Sequence, residues 1–394
     1  MTTISRSISL LKSAHPRAAL LATLLTAGGC AVDASQADAP TGTLQPLARC
    51  ASDGKRELQD ALDALVAQGV PGAIGLSRRG GHVLTSTSGV RDLETNEPIR
   101  PEDRFRAAST GKTFTATVIL QLVQEGRLDL EDSVERWLPG LLPYGASITV
   151  RQLLNHTSGL AHNAQDLEVV GPYLSGDHTH YWSPAELMSI AATRPLVFSP
   201  GEGWLYANTN YQVLGLIIEA VTEHAAVAEI EQRVFGRLGL RNSAWPVSET
   251  SLEEPYTHGY HFREEDFGPD ADVTEFSPSW TWTAGGLVTT VSDLAHFGRA
   301  LLSGRLLGPQ ALDEMLTTVP SSEGAYGLGL ERYDTPCGPG WGHEGDFPGY
   351  HTMMLTSRDG ERQAVIALNS DDAVGIGLGD PYLARAVFAA FCRR

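Results

Sequence analysis

Two residues with the chemistry of a nucleophile and its base lie three positions apart in this chain. Ser109 and Lys112 come directly before an apolar stretch, residues 114–123. If that stretch forms a helix, the lysine amine lies beside the serine oxygen, because positions i and i+3 share a helix face. A serine hydroxyl is a weak nucleophile until a neighbour accepts its proton, and Lys112 would be that neighbour. A lysine at the start of so apolar a helix should have polar partners, because an unpaired buried ammonium is costly.

The same tetrapeptide fits two other interpretations. Most Ser-x-x-Lys matches are ordinary helix starts with a solvated lysine. Gly111, Lys112 and Thr113 also match the end of a phosphate-binding loop. That loop needs a glycine five positions before Gly111, where this chain has Arg106. Nucleotide binding is therefore disfavoured.

Two further clusters contain residues that could complete the chemistry. Tyr206 and Asn208 precede a segment with the helical spacing of apolar residues. A phenol can transfer a proton when nearby cations favour its ionised form, and an amide can bind a substrate carbonyl. His343 lies between Gly342 and Gly345, which favour the close approach of a ligand backbone. Each cluster alone is typical of ordinary turns and helix caps, whereas the three together favour a catalytic site.

The order of these motifs along the chain resembles that of one superfamily. The chain is similar to serine β-lactamases and penicillin-binding proteins, of the class C β-lactamase and soluble DD-carboxypeptidase type. Within these it resembles most the secreted D-alanyl-D-alanine carboxypeptidases. The likeness covers roughly residues 50–394, and its matching stretches are residues 105–114, 126–132, 148–160, 206–208, 280–286 and 342–345.

The resemblance implies a role for each catalytic residue. Ser109 would attack a carbonyl carbon and form an acyl-enzyme, while Lys112 and Tyr206 share the removal of its proton. Tyr206 would then protonate the leaving group, with help from Asn208 and His343. The expected function is that of an exported serine hydrolase that works through an acyl-serine, most like a D-alanyl-D-alanine carboxypeptidase.

The resemblance also implies how the substrate is held. The backbone N–H groups of Ser109 and Asp346 would form the oxyanion hole, where each donor contributes about 2.7–4 kcal/mol. Gly345 and Asp346 would lie on an edge strand that lines the substrate. Trp280 would form a wall of the acyl pocket, although a place in the hydrophobic core explains a tryptophan equally well.

The chain departs from its relatives where they bind a substrate carboxylate. Close carboxypeptidase relatives have an arginine after Gly-Leu-Gly-Leu, whereas this chain has Glu331 followed by Arg332. Glu344 and Asp346 stand where those relatives have small hydroxyl residues. Negative charges there would oppose an anionic substrate terminus and favour an ester, an amide or a cationic group. The alternative is that Arg332 turns inward and binds the carboxylate.

The expected fold class is α+β (mixed α/β), with a mostly antiparallel sheet flanked by helices. Periodicity predicts a helix over 55–68, a hairpin of strands 73–77 and 82–88, a second hairpin of strands 350–357 and 363–369, and a C-terminal helix over 382–391. An all-helical lobe would be inserted at roughly residues 126–275. The domain order would be a signal peptide at 1–29, a flexible tether at 30–49 and the hydrolase domain at 50–394.

The N-terminus predicts export. Basic residues precede an apolar stretch that ends in small residues, and Cys30 follows as a candidate lipid anchor. Ala27 stands where a lipobox has leucine, so cleavage elsewhere to give a soluble exported protein is the alternative. The sequence contains no second long apolar segment, so we expect no transmembrane helix.

The net charge of the chain restricts the classes of molecule that it can bind. The formal net charge of −18 over 394 residues disfavours nucleic acid as a partner. We expect a monomer that acts on a small molecule or a peptide, such as a peptidoglycan stem peptide, an ester or an amide. We expect no cofactor and no metal, and we interpret Asp177, His178 and His180 as part of an exposed loop rather than a metal site.

Export would permit disulfide bonds. The resemblance to secreted carboxypeptidases implies a bond between Cys337 and Cys392, which would leave Cys50 without a partner.

Other activities remain open at this point. Esterase, D-aminopeptidase or amidase, and β-lactamase activities all use the same residues in this superfamily. A penicillin-binding or sensor lipoprotein without turnover is the alternative of another class, because a fold can persist as a binding module.

Overall fold

The fold is built on one antiparallel sheet. The computed structural model describes residues 45–263, 272–322, 324–375 and 377–393. The strands are β1 Gly72–Arg79, β2 His82–Gly89, β3 Phe105–Arg106, β4 Val288–Thr289, β5 Val319–Ser321, β6 Gly324–Tyr326, β7 Glu331–Thr335, β8 Gly338–Phe347, β9 Tyr350–Thr356 and β10 Arg362–Leu368. Eight of them pair in the order β2-β1-β10-β9-β8-β7-β6-β5, while β3 and β4 form a separate pair. All neighbours in the large sheet are antiparallel, which confirms the predicted fold class.

Helices cover both faces of this sheet. They are α1 Gln45–Ala67, α2 Gly111–Gln124, α3 Val134–Trp137, α4 Val150–Leu154, α5 Leu167–Leu174, α6 Pro184–Thr193, α7 Asn208–Thr222, α8 Ala226–Ile230, α9 Val291–Leu302, α10 Pro309–Leu316 and α11 Pro381–Phe391. From α3 to α8 the chain is helical, without an intervening strand in this fully described stretch. No helix within the described ranges is both long and apolar enough to cross a membrane.

The two faces have separate hydrophobic cores. On one face, α1 and α11 pack against the sheet through a smaller core that contains Leu58, Leu62 and Val387. On the other, α2, α7 and α9 share a larger core in which Phe114 stacks on Phe297. Helix α2 is apolar on nearly all sides because it is buried between the sheet and the helical segment, and every residue from Gly111 to Leu122 is buried.

The predicted elements are present with small changes in their bounds. Both predicted hairpins form, β1–β2 and β9–β10, and the first turns through Gly80, whose φ of 58° lies in the left-handed region that two-residue hairpins need. Helix α1 begins at Gln45, earlier than the predicted start at residue 55, so residues 45–49 of the predicted tether belong to it. The predicted signal peptide, Cys30 and the rest of the tether lie outside the described residues.

The predicted disulfide is confirmed. Cys337, in the turn between β7 and β8, is bonded to Cys392 at the end of α11. The bond joins the sheet to the C-terminal helix across 55 positions of sequence. The side chain of Cys50 lies outside the described part of the structure.

Candidate active site

Ser109 lies on a tight turn that precedes the buried helix α2. The turn spans Ala108–Thr110, and Ala108 has a φ of 50°. Both the backbone N–H and the hydroxyl of Thr110 donate to the carbonyl of Ala107, at 3.2 and 2.9 Å. This turn holds the half-buried Ser109 side chain at the start of the helix, as the spacing predicted.

Lys112 is fully buried and has three polar contacts. Its Nζ lies 3.0 Å from the Oγ of Ser109, 2.7 Å from the Oδ1 of Asn208 and 2.8 Å from the carbonyl oxygen of Ala284. The first contact comes from the same helix turn, the second from the first residue of α7, and the third from the turn Trp282–Ala284. The partners that a buried lysine requires are therefore all present.

The burial of Lys112 favours the neutral form of its amine. Burial lowers the pKa of its ammonium well below the ordinary value, and the charge of Glu331 opposes that shift. A neutral amine has two N–H donors and one lone pair. The oxygens of Asn208 and Ala284 only accept hydrogen bonds, so they take both donors and leave the lone pair facing the Ser109 hydroxyl. In this form the lysine can accept the serine proton.

Tyr206 also faces the Ser109–Lys112 pair. The Nζ of Lys112 lies 4.7 Å from the centre of the Tyr206 ring. Burial raises the pKa of the phenol well above its ordinary value, a hydrogen bond with Ser109 opposes the shift, and the charges of Glu331 and Glu344 add to it. The idea that nearby cations favour an ionised phenol is therefore wrong, and Tyr206 is held as a proton donor.

Aromatic rings surround Tyr206. The ring centre of His156 lies 4.5 Å from that of Tyr206, and those of His162, His343 and Tyr326 lie 5.9, 6.0 and 6.4 Å away. Burial, as the largest cause, lowers the pKa of both His162 and His343 to about 3, and any protonation of Lys112 nearby acts in the same direction. The phenol is thus enclosed by rings that carry no charge at neutral pH.

His343 lies where the sequence predicted, but its ring nitrogens are both engaged. Its Nε2 lies 2.9 Å from the hydroxyl of Tyr326, and its Nδ1 contacts the backbone carbonyl of Glu344. The ring therefore has no free nitrogen with which to help Tyr206 protonate a leaving group. This corrects the role expected for His343, whose neutral ring packs beside Tyr206 instead.

Strand β8 approaches the serine turn closely at Gly345. A Cβ at this position would lie 2.2 Å from the carbonyl oxygen of Ala107 and 3.0 Å from the backbone nitrogen of Ser109. Only a glycine permits this approach. It places the backbone around Gly345 and Asp346 next to that of Ser109, as a two-donor oxyanion hole requires.

Strand β8, the expected edge strand, is unpaired on one side over only half of its length. Strand β7 pairs with β8 from Gly338 to Gly342, where Glu331 is the last partner. Among the described strands, the remaining part of β8, residues 343–347, has only β9 beside it. This open half faces the serine turn and leaves room for an extended substrate.

The structure does not bring Arg332 to the Ser109–Lys112 pair. Adjacent strand residues point to opposite faces, so the buried side chain of Glu331 and the exposed side chain of Arg332 diverge. Arg332 instead binds the carboxylate of Asp334 at 2.8 Å on the surface. The proposal that Arg332 turns inward to hold a substrate carboxylate is therefore wrong for this conformation.

Asp346 and Glu344, which are expected to oppose a substrate carboxylate, each have a defined neighbour in the structure. Asp346 accepts a hydrogen bond from the Nδ1 of buried His351, and although burial lowers the pKa of that imidazole, Asp346 and two further carboxylates raise it above its ordinary value. This raised pKa favours a protonated His351, whose charge offsets that of Asp346. Glu344 reaches towards Gly377, where an added Cβ would lie 2.9 Å from its carboxylate.

The remaining predicted residues also have definite places. Asn208 keeps its amide NH₂ as a donor because its oxygen is bound to Lys112. Trp280 is half-buried, accepts a hydrogen bond from Gln212 on its carbonyl, and packs its ring 6.1 Å from that of Phe347 at the end of β8. The Trp280 ring thus borders both the core and the open half of β8.

Three contributors to this site carry no signal in the sequence that identifies them. The carbonyl of Ala284 has no side-chain signature. His156 belongs to one of the motif stretches, but nothing in its type showed that it packs on Tyr206. Tyr326 precedes the Gly-Leu-Gly-Leu turn, and its place beside His343 depends on the pairing of distant strands.

Two histidine clusters lie away from this site. His261, Asp371 and Asp372 come together, but the two carboxylates already accept hydrogen bonds from backbone N–H groups of Phe262, Arg263 and Gly349. In the loop with Asp177, the ring of His178 stacks on that of Phe276 and the ring of His180 contacts that of Trp182.

Comparison with known proteins agrees with this geometry. The family model described as β-lactamase matches residues 58–388, which include every site residue above. The chain belongs to the β-lactamase family. Its fold is similar to that of a D-stereospecific amidohydrolase from Streptomyces sp., with 38% identity, a TM-score of 0.77, and coverage of 86% of this chain and 98% of the other.

Two relatives have names that refer to different functions. Penicillin-binding protein 4* of Bacillus subtilis is 29% identical over 321 residues, which are 75% of this chain and 68% of the relative. Esterase EstB of Burkholderia gladioli is 30% identical over 308 residues, which are 71% of this chain and 75% of the relative. This β-lactamase family member is therefore a serine hydrolase of the superfamily, and its family alone leaves the substrate open.

Proposed function

We propose that this protein hydrolyses amides or esters of D-amino acids through an acyl-enzyme on Ser109, and that its substrates lack a free carboxylate on the leaving group. The observation that carries the chemistry is the contact set of Lys112. With two N–H groups bound to Asn208 and Ala284, the neutral amine offers its lone pair to the serine.

The first half of the reaction forms the acyl-enzyme. As the Oγ of Ser109 bonds to the substrate carbonyl carbon, its proton passes to Lys112. The carbonyl oxygen becomes an oxyanion that accepts hydrogen bonds from the backbone N–H groups of Ser109 and Asp346. When the bond to the leaving group breaks, Tyr206 gives its proton to the departing nitrogen or oxygen, and the proton held by Lys112 restores the phenol.

The second half releases the acid. Water enters the place that the leaving group vacates and attacks the acyl carbon, and it gives one proton to the same Lys112–Tyr206 pair. The bond to the Oγ of Ser109 then breaks, and the serine regains its proton. The NH₂ of Asn208 donates to a carbonyl or amide of the acyl group throughout.

The leaving-group preference follows from the charges around the site. Glu331 and Glu344 both act on Tyr206, whose proton goes to the leaving group, and both oppose an anion there. Arg332, the alternative ligand for a carboxylate, is turned away and bound to Asp334. These features favour amides and esters over peptides with a free C-terminal carboxylate, so we set the carboxypeptidase expectation second. The D-stereospecific amidohydrolase and the esterase among the similar proteins support the same choice.

One comparison tests the chemistry and the preference together. We would measure cleavage of a peptide that ends in D-Ala-D-Ala and of the same peptide with a C-terminal amide, followed by D- and L-phenylalanine amide. We expect faster cleavage of the amidated peptide, a preference for the D-amide, and no turnover by Ser109→Ala. Faster cleavage of the free carboxylate would establish a carboxypeptidase instead, and equal activity of Ser109→Ala would reject the acyl-serine route.

We also propose that the protein works outside the cytoplasm. The disulfide between Cys337 and Cys392 is typical of oxidising compartments, and the N-terminal sequence has the features of an export signal. Partitioning of the native protein in a detergent phase would separate the two forms: a lipoprotein anchored at Cys30 enters the detergent, and a soluble exported protein stays in the aqueous phase.

A further inference from the structure

We propose that Tyr326 is a positioning residue of this site, and that its hydroxyl holds the imidazoles of His156 and His343 in fixed tautomers around Tyr206. The proposal rests on the proposed function for its effect on turnover, but the tautomers can be measured without any substrate.

The hydroxyl of Tyr326 lies between the two imidazoles. It is 2.9 Å from the Nε2 of His343 and 3.3 Å from the Nε2 of His156. All three side chains are almost completely buried, with exposures of 0%, 1% and 0% for Tyr326, His343 and His156. Because no solvent reaches them, each polar atom must find its partner within the protein.

The direction of the hydrogen bonds follows from the atoms at each end. The Nδ1 of His156 lies 3.2 Å from the backbone nitrogen of Ala207 and 2.9 Å from the Nδ2 of Asn210, and both of these groups donate. The Nδ1 must therefore accept, and in a neutral ring the proton is on Nε2. His156 thus donates to the oxygen of Tyr326.

The hydrogen bonds of His343 give the same direction, from His156 towards His343. The Nδ1 of His343 contacts the carbonyl of Glu344, which only accepts, so that nitrogen carries the proton. The Nε2 of His343 must then accept, and the hydroxyl of Tyr326 donates to it. The chain of hydrogen bonds runs from His156 through Tyr326 to His343, and the hydroxyl oxygen of Tyr211, which itself donates to Leu154, is a second acceptor beside Tyr326.

This chain joins the parts of the fold that carry the catalytic groups. His156 follows α4 and receives the N–H of Ala207, which lies between Tyr206 and Asn208. Tyr326 is on β6, and His343 is on β8, two positions before Gly345. The hydroxyl of Tyr326 therefore links the segment that holds the proton donor to the strand that lines the substrate.

Loss of this hydroxyl alone should disturb the site. Tyr326→Phe keeps the ring but leaves a buried N–H on His156 and a buried acceptor on His343 unpaired, which favours rotation or tautomer change of either ring. Since both rings pack against Tyr206, we expect kcat to fall about tenfold or more, with less than about a twofold change in KM. A matched control is Tyr350→Phe, which removes a buried phenol that donates to the carbonyl of Thr257 at 2.9 Å.

Two measurements test the proposal. Nitrogen-15 NMR of the histidine side chains should show the Nε2–H form of His156 and the Nδ1–H form of His343 in the native protein, and altered signals for both in Tyr326→Phe only. Turnover of D-phenylalanine amide should fall in Tyr326→Phe and be nearly unchanged in Tyr350→Phe, with the melting temperatures of both variants recorded.

The outcomes separate this inference from the proposed function. An Nε2–H form of His343 in the native protein, or equal kcat for the two phenylalanine variants at equal stability, would overturn the role of Tyr326. Absence of any turnover in the native protein would reject the proposed substrate class, while the imidazole signals would still support or reject the positioning role.

Discussion

The side-chain oxygen of Asn208 lies 2.7 Å from the Nζ of Lys112, and this contact ties the amide proposed to bind the substrate to the proposed base. Because the oxygen accepts from the lysine, the NH₂ end of the amide is available to the substrate. The same contact takes one N–H of the lysine, so that its lone pair is directed to Ser109. In the proposed mechanism, Asn208 thus orients both the base and the acyl group.

Replacement of this amide by a carboxylate should disable the base. In Asn208→Asp a negative charge would contact Lys112 and favour the ammonium, which raises the lysine pKa. We expect kcat/KM at pH 7 to fall tenfold or more and its acidic limb to move to higher pH. The pH dependence of kcat/KM for D-phenylalanine amide is the measurement. Asn242→Asp, which adds the same charge at an exposed position, is the control and should leave the profile in place. An unmoved limb in Asn208→Asp would show that the limb does not report Lys112.

Removal of the charge at Glu331 should shift the same limb in the opposite direction. Glu331 raises the pKa of Lys112 against the larger effect of burial. Without that charge the lysine pKa falls further, so the neutral amine persists to lower pH. We therefore expect the acidic limb of kcat/KM in Glu331→Gln to move to lower pH. Glu344→Gln, which removes a charge that acts on Tyr206, should leave this limb unchanged. A limb that moves upward in Glu331→Gln would contradict the assignment of Lys112 as the base.

Local patterns in the sequence predicted a large part of this structure. The contact of Lys112 with Ser109 depends on one helix turn, and the hairpins depend on glycine turns between apolar runs. The order of the motifs located Tyr206, Asn208 and His343 at one site. These predictions of position agree with the structure because each rests on interactions between residues close in sequence, or on motifs that the family shares.

The features that the sequence did not predict depend on contacts between residues far apart in the chain. The protonation states of Lys112 and Tyr206 follow from burial, which only the packed structure shows. Strand alternation turns Arg332 away from the side that Glu331 occupies, and a register change of one residue would have reversed the two. The engagement of both nitrogens of His343 requires Tyr326, which arrives from another strand.

Because β8 approaches the serine turn so closely at Gly345, adding one methyl group there should greatly reduce kcat. In Gly345→Ala the new Cβ would lie 2.2 Å from the oxygen of Ala107, so the strand must move away from the serine turn. We expect kcat to fall about a hundredfold or more, because loss of one oxyanion donor has an effect of that size.

A second glycine on the same strand provides the control. In Gly340→Ala the nearest contact is with the side chain of Leu355, at 2.5 Å, which lies away from Ser109. We expect that variant to lose stability through strain against Leu355 but to keep a nearly normal kcat. If both alanine variants lost kcat equally at equal folded fractions, the special role of the β8 approach at Gly345 would be rejected.

The disulfide should contribute to stability and not to catalysis. Cys337 and Cys392 close a loop of 55 positions, and the chain-entropy account of such a loop gives about 4 kcal/mol of stabilisation. The bond lies at the end of β8 opposite to Gly345, so the arrangement of Ser109 and Lys112 does not depend on it. We expect the Cys337→Ser/Cys392→Ser double variant to have a free energy of unfolding in urea lower by several kcal/mol and an unchanged kcat below the melting temperature. Native protein treated with a reducing agent should unfold like the double variant, since both lack the same bond. Equal unfolding midpoints with and without the reducing agent would contradict the stabilising role of this bond.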